Sequence, residues 1–227
     1  MRFKGILLDL DDTLYDYESA HIPALKAALS MLSEAWQIKP ETVKAAFQDS
    51  RVCVHQQLSG LAASHHRLLY FQGVCERLNH NPLQWGLLAY ETYWDCFLTQ
   101  MRLREGVTDF LSAVSVPICL ISDLTAHIQF RKLAFLNLQD RINAVVTSEE
   151  AGHEKPHPFI FSLALKKLKM DAHEVCMIGD NFEKDCMGAL GVGMAAYWYH
   201  KGGSVPAQFS HSVTPFSSFL DLGEKLR

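Results

Sequence analysis

Three carboxylates crowd a few residues near the start of the chain: Asp9, Asp11 and Asp12, with the hydroxyl of Thr13 directly behind them. They close the stretch Phe3 to Leu14, whose apolar run Ile6-Leu7-Leu8 suits a strand buried on both faces. Acids this close oppose one another's ionisation. A fold tolerates that best where a cation or a reaction uses the charge. The other reading is an acidic turn that faces water, and five residues alone do not choose between the two.

The elements behind these acids come in two rhythms. From about Tyr17 to Met101 apolar residues recur at helical steps: Ile22, Leu25, Leu29 and Leu32, then Val43, Phe47, Val54 and Leu58, then Leu87, Tyr90, Tyr93, Trp94 and Phe97. Pro40 and Pro82 stand where helices can begin, and Gly60 and Gly86 mark possible breaks. The block reads as about four helices of roughly 10–14 residues. From Gly106 strands and helices alternate. Val116–Ile121 is a strand ending at Ser122, Ala144–Val146 one ending at Thr147-Ser148, and Val175–Ile178 one ending at Gly179-Asp180. A further strand is expected over Met194–Trp198, with helices over 107–114, 126–136, 158–168, 182–190 and 216–225. Gly202 to Pro215 reads as surface loop. This alternation implies a parallel sheet covered on both faces by right-handed crossovers. The helical block is then an insertion after the first strand. Asp9, Ser122, Ser148 and Asp180 fall at strand ends, the rim where open parallel sheets bind ligands.

Composition narrows the partners. The 227 residues are 48% hydrophobic and carry a formal net charge of -4, which gives nucleic acid or an anionic membrane no bulk attraction. Six cysteines show no C-x-x-C spacing and no signal peptide or apolar membrane span is evident, so we expect a reduced, cytoplasmic chain. Monomer and homodimer stay open.

Four motifs now stand in order: D-L-D-D-T at 9–13, I-S-D at 121–123, E-K-P at 154–156 and G-D-N-F-E-K-D at 179–185. Together they resemble the haloacid dehalogenase-like (HAD) hydrolase superfamily, and the helical insert resembles its C1-type cap. The resemblance implies an α/β, Rossmann-like three-layer sandwich with parallel strand order 5-4-1-2-3. It places the catalytic core at 1–14 plus 103–227 and the cap at 15–102. It further implies a phosphatase of subfamily I acting on a small phosphorylated metabolite, a sugar phosphate or nucleotide-like compound. Asp9 would be the nucleophile that forms an aspartyl-phosphate. Asp11 would protonate the leaving alcohol and later activate water. Thr13, Ser122, Asp123 and Lys155 would bind the phosphate or orient groups on it. Asp123 departs from the Asn or Gly common at that position, and an acid there suits phosphate only if its side chain turns away. Carboxylate and phosphate at 4 Å repel by about 4 kcal/mol per charge pair at an effective dielectric of 20. Mg2+ on Asp9, Asp180 and the Asp11 carbonyl would offset that, with Asn181 and Asp185 supporting the metal ligands. Asp12 has no assigned chemistry. His153 and His157 read as surface residues, and the cluster Tyr90, Tyr93, Trp94 and Phe97 as cap core.

Other readings on the same motifs are a haloacid dehalogenase, a phosphomutase and a non-catalytic binding protein. A dehalogenase needs neither metal nor proton donor, and Asp11 argues against it. A mutase needs cap groups for a sugar diphosphate, for which Lys44, Arg51, Arg67 and Arg77 are the candidates. Retention of Asp9, Asp11 and Lys155 argues against loss of catalysis.

Overall fold

The computed structural model describes residues 3 to 226 apart from 201 and 203; Met1, Arg2 and Arg227, which fall in the expected core, and Gly203 of the expected loop lie outside them. The chain divides into two compact units, Tyr17–Met101 and the segments before and after it.

The chain opens with strand β1, Gly5–Leu8. The helical unit follows as α1 (Tyr17–Trp36), α2 (Pro40–Gln57), α3 (Arg67–Arg77) and α4 (Pro82–Gln100). Pro82 occupies the first turn of α4, and the Asn81 side chain caps it by accepting from the Leu83 amide at 2.9 Å. Three of these helices, of 20, 18 and 19 residues, exceed the expected length. Gly86 does not break α4. A Cβ there would stand 3.8 Å from Leu68 and Gln72 of α3, so the glycine lies against a packed neighbour. Its cost of about 1 kcal/mol is small beside the burial of Tyr90, Tyr93, Trp94 and Phe97 on the same helix. These rings are unit core, as expected. Arg67 is buried among them, its guanidinium 5.3 Å from the Tyr70 ring centroid, 5.7 Å from Tyr93 and 5.9 Å from Trp94. It donates to the His65 carbonyl at 2.6 Å and to the Tyr17 hydroxyl.

The second unit continues with α5 (Val107–Ala113), β2 (Ile118–Ser122), α6 (Ala126–Phe135), β3 (Ala144–Thr147) and the single turn α7 (Ser148–Ala151). Then come α8 (Pro158–Leu168), β4 (Val175–Gly179), a π-helical segment (Phe182–Met187) running into α9 (Gly188–Gly191), and β5 (Ala195–Tyr199). β6 (Val213–Phe216) and α10 (Phe219–Lys225) close it. The sheet order is β3-β2-β1-β4-β5-β6, all pairs parallel. This is the expected 5-4-1-2-3 order with one strand added at an edge. β6 corrects the reading of 202–215 as loop. It is four residues long, and only Val213 and Phe216 are buried, so it carries no periodic signal. Pro215 is tolerated because an edge strand leaves one side of its backbone unpaired. β1, β2 and β4 are buried along their whole length, as strands covered on both faces must be. Among the described residues no helix is long and apolar enough to cross a membrane, and all six cysteines are free thiols.

Candidate active site

The strand order sets the site. β1 lies between β2 and β4, so Asp9, one residue past β1, is flanked by Ser122 at the end of β2 and Asp180 just past β4. The Asp9 amide extends the ladder by donating to the Ile178 carbonyl at 2.9 Å. Beyond it the chain leaves the strand. Asp12 turns through the left-handed region at φ 63°, which aspartate tolerates better than most residues, and Leu10 and Leu14 bury their side chains. Arg104 clamps this loop, donating from Nη2 to the Asp12 carbonyl at 2.8 Å while its amide donates to the Leu14 carbonyl at 2.8 Å. Asp12 is therefore a turn residue, as its lack of assigned chemistry suggested.

Around Asp9 one ammonium faces several carboxylates. Lys155 Nζ donates to Asp9 Oδ1 at 2.6 Å and to Asp185 Oδ1 at 2.7 Å. Thr13 Oγ lies 2.7 Å from Asp9 Oδ2 and 3.1 Å from Asp180 Oδ1, so its single proton serves one carboxylate at a time. Carboxylate oxygens of Asp9, Asp180 and Asp185 all lie within 4.8 Å of one another. Burial pushes the Asp9 carboxyl well above the ordinary carboxylate range; Lys155 opposes this, and Asp185 and Asp180 add to it. Burial, then Asp185, raise Asp180 to about 6. Lys155 stays protonated, because Asp185, Asp9 and Asp123 outweigh its own burial. Asp185, expected only to support the metal ligands, thus contributes an oxygen to the acid cluster. Gly179 makes the room: a Cβ there would fall 2.3 Å from Asp185 Oδ2. The Asp185 carboxylate also accepts the Asn181 amide at 2.9 Å, and Asn181 Oδ1 caps the π-helical segment by accepting from the Lys184 amide at 2.9 Å.

Asp123 does turn its carboxylate to protein partners. Its Oδ1 accepts the Lys155 backbone amide at 2.8 Å and its Oδ2 accepts Lys184 Nζ at 3.0 Å. The acid therefore ties the loop that carries Lys155 to the end of β2. His153 and His157 are exposed, and His157 Nδ1 caps α8 by accepting from the Phe159 amide at 3.2 Å.

Asp11 has separate company that the motifs do not reveal. Lys132 Nζ donates to Asp11 Oδ1 at 2.6 Å and Oδ2 at 2.9 Å, Gln129 Nε2 donates to Oδ2 at 3.0 Å, and the Tyr15 hydroxyl donates to Oδ1. Burial raises the Asp11 pKa, but Lys132, Tyr15 and Gln129 outweigh it and hold the carboxyl below its ordinary range. The signal for these partners was a pair of polar residues, three apart, between Ile128 and Leu133 on the buried face of α6. Gln129 Nε2 also donates to Ser122 Oγ at 2.6 Å. With that lone pair engaged, the Ser122 hydroxyl proton is free to point to a ligand.

The donor set suits a hard divalent cation. Its members are carboxylate oxygens, their charge exceeds that of the one ammonium among them, and burial makes the excess costly.

Comparison with known proteins agrees with the motif reading. Residues 3–193 match the model of the haloacid dehalogenase-like hydrolases. The chain is 36% identical over 195 residues to ribulose-1,5-bisphosphate 5-phosphatase of Halopiger xanaduensis, covering 84% of this chain and 82% of that protein. It is 30% identical over 205 residues to glyceraldehyde 3-phosphate phosphatase of Pyrococcus abyssi, covering 88% and 82%. Among solved structures, a 2-haloacid dehalogenase from Pseudomonas syringae shares the fold with a TM-score of 0.80 over 99% of this chain and 98% of its own, at 24% identity.

Proposed function

Because the chain belongs to the haloacid dehalogenase-like hydrolase family, we propose that it is a cytoplasmic, Mg2+-dependent phosphomonoesterase that hydrolyses a small phosphorylated metabolite, a sugar phosphate or nucleotide-like compound, through an aspartyl-phosphate on Asp9. The observation that carries this is the buried cluster of Asp9, Asp180 and Asp185 around the single ammonium of Lys155. Halide displacement by a carboxylate has no use for the surplus charge. The two relatives described above are phosphatases of small phosphorylated sugars by name, which supports the substrate class. Free thiols and a net charge of -4 suit a reducing compartment and a small-molecule partner.

Asp9, Asp180 and the Asp11 carbonyl would hold Mg2+, with Asp185 beside them. The ion would neutralise the charge that separates a carboxylate nucleophile from a phosphate. Asp9, fixed in its plane by Lys155 and Thr13, attacks phosphorus as the bond to the leaving oxygen breaks. Asp11 would give that oxygen a proton, which it must first take up against the pull of Lys132, Tyr15 and Gln129, and then take one from the water that cleaves the acyl phosphate. Ser122 and Lys155 bind the phosphate oxygens. Purified protein should hydrolyse phosphate monoesters with Mg2+ present and lose turnover in excess EDTA; turnover that survives EDTA would overturn the metal assignment. A panel of phosphorylated metabolites identifies the substrate.

The acids also predict how metal binding follows pH. Without metal the Asp180 carboxyl titrates near pH 6, above its ordinary 3.8, chiefly because it is buried. The folded protein then holds more protons than the unfolded chain between these values, so this group makes the metal-free protein lose stability as pH rises through the window. Metal binding needs the anion and therefore strengthens over the same range. Mg2+ at 100 times its Kd should stabilise by about 2.7 kcal/mol, or roughly 5–10 °C in Tm for a chain of this size. That increment should be present at pH 7.5 and fall to about half at pH 5, where roughly a tenth of Asp180 is ionised and Kd is about tenfold weaker. A thermal-shift series in which Mg2+ adds the same increment at both pH values would refute it.

A further inference from the structure

We propose that Lys184 is a positioning residue for phosphate binding: it neutralises Asp123, the acid beside the phosphate-binding serine, so that the Lys155 ammonium keeps its attraction for the substrate's anion. The inference rests on the phosphatase reading and gives a role to a lysine inside the fourth motif that the motif reading left without one. Lys184 stands on the π-helical segment after β4, whereas Asp123 follows β2, and β1 runs between those two strands. The Lys184 ammonium meets Asp123 Oδ2 at 3.0 Å and Glu154 Oε2 at 3.6 Å. Both carboxylates are mostly buried, at 11% and 10% exposure, while the lysine side chain is 35% exposed. Among the described residues Lys184 is the one cation paired with Asp123.

The two oxygens of Asp123 have different partners. Oδ1 accepts the Lys155 backbone amide at 2.8 Å, a bond that needs an oxygen but no charge. Oδ2 accepts the Lys184 ammonium, and that contact offsets the charge. An asparagine would keep the first bond and remove the need for the second. The chain has the acid instead, directly after Ser122 and one hydrogen bond from the residue whose ammonium binds phosphate. A carboxylate left uncompensated there would repel phosphate and compete for the Lys155 charge, and its low exposure leaves little water to screen it. Asp123 and Lys184 together therefore stand in for one neutral residue, and mutation can separate their two charges. A lysine that only tethered the loop would behave otherwise, because removing the acid as well could not restore a lost tether.

The test measures binding of inorganic phosphate by calorimetry with Mg2+ present, beside kinetics on p-nitrophenyl phosphate. Lys184→Met should raise the phosphate Kd about tenfold and lower kcat/KM by a like factor, with a smaller change in kcat. Lys184→Arg, which keeps the charge, should recover most of the affinity. Adding Asp123→Asn to Lys184→Met should bring Kd back to within about threefold of wild type, and Asp123→Asn alone should lower Kd below wild type. A loss that persists in the double variant, or no loss in Lys184→Met, would overturn the proposal. If Lys184→Met does not fold, Asp123→Asn alone decides, and a Kd equal to or above that of wild type overturns it. Wild-type protein that fails to hydrolyse the ester yet shows this pattern of Kd values would overturn the phosphatase reading alone. Wild-type protein that binds no phosphate would overturn both.

Discussion

Asp9→Asn should reduce kcat by a factor of about 10,000 or more while the protein remains folded, with a Tm equal to or above that of the wild type. The activity loss follows from the role: an amide does not attack phosphorus, and no other carboxylate in the cluster holds its place at the end of β1. The stability forecast comes from the surroundings. Asp9 is 4% exposed and faces Asp180 and Asp185 as well as Lys155. Its burial and those two acids push its pKa well above the ordinary range, opposed by Lys155, so the charge is costly where it stands. Asparagine can be satisfied in the same space. Its carbonyl oxygen would take the Lys155 contact, its amide nitrogen would donate to Thr13 Oγ, and the Thr13 proton would turn to Asp180, already 3.1 Å away. Lys155 keeps Asp185 as its counter-ion at 2.7 Å. Steady-state kinetics and a thermal melt check both halves. A kcat within tenfold of wild type would remove Asp9 from the nucleophile's role.

Lys155→Met should be the most destabilising change in the site, costing about 3–5 kcal/mol, or roughly 10 °C in Tm, together with nearly all activity. The ammonium is 4% exposed and bridges two buried carboxylates at 2.6 and 2.7 Å. Its removal leaves Asp9, Asp180 and Asp185 within a few ångströms with no cation among them. The backbone contact survives, because the amide of residue 155 still donates to Asp123 Oδ1. The deficit is thus a charge effect and should respond as one. Acid neutralises the stranded carboxylates, so the gap from wild type should narrow between pH 7.5 and pH 5. Mg2+ should narrow it too. Denaturant melts at the two pH values, with and without Mg2+, measure this. A variant as stable as wild type, or a gap that ignores both pH and metal, would show that Lys155 does not carry the balance of charge.

Most of the framework was legible in the residues because it depends on local pattern. The fully buried strands β1, β2 and β4 announce themselves as apolar runs, and the polar residue that reaches the site stands at the end of β2 and directly after β1 and β4. The helices of the inserted unit follow from 3.6-residue periodicity. Local cues failed where packing overrode them. Gly86 reads as a break but lies against α3 inside an unbroken α4, and β6 is too short to show alternation.

The chemistry divides along a similar line. The order of acids, serine and lysine at strand ends follows from chain position alone and points to a phosphate, a carboxylate nucleophile and a cation. Which charge meets which depends on the strand order and on side chains that cross between elements. Lys132 reaches Asp11 from 121 residues away, Lys155 reaches Asp9 from 146, and Asp185 fits beneath Gly179 only because that residue lacks a Cβ. Asp123, which as a residue type argues against phosphate, becomes the anchor of the Lys155 amide. Periodicity reports the conformation of a segment and the face it buries. The partner of a buried charge is chosen by desolvation, which acts only once the sheet has closed around it.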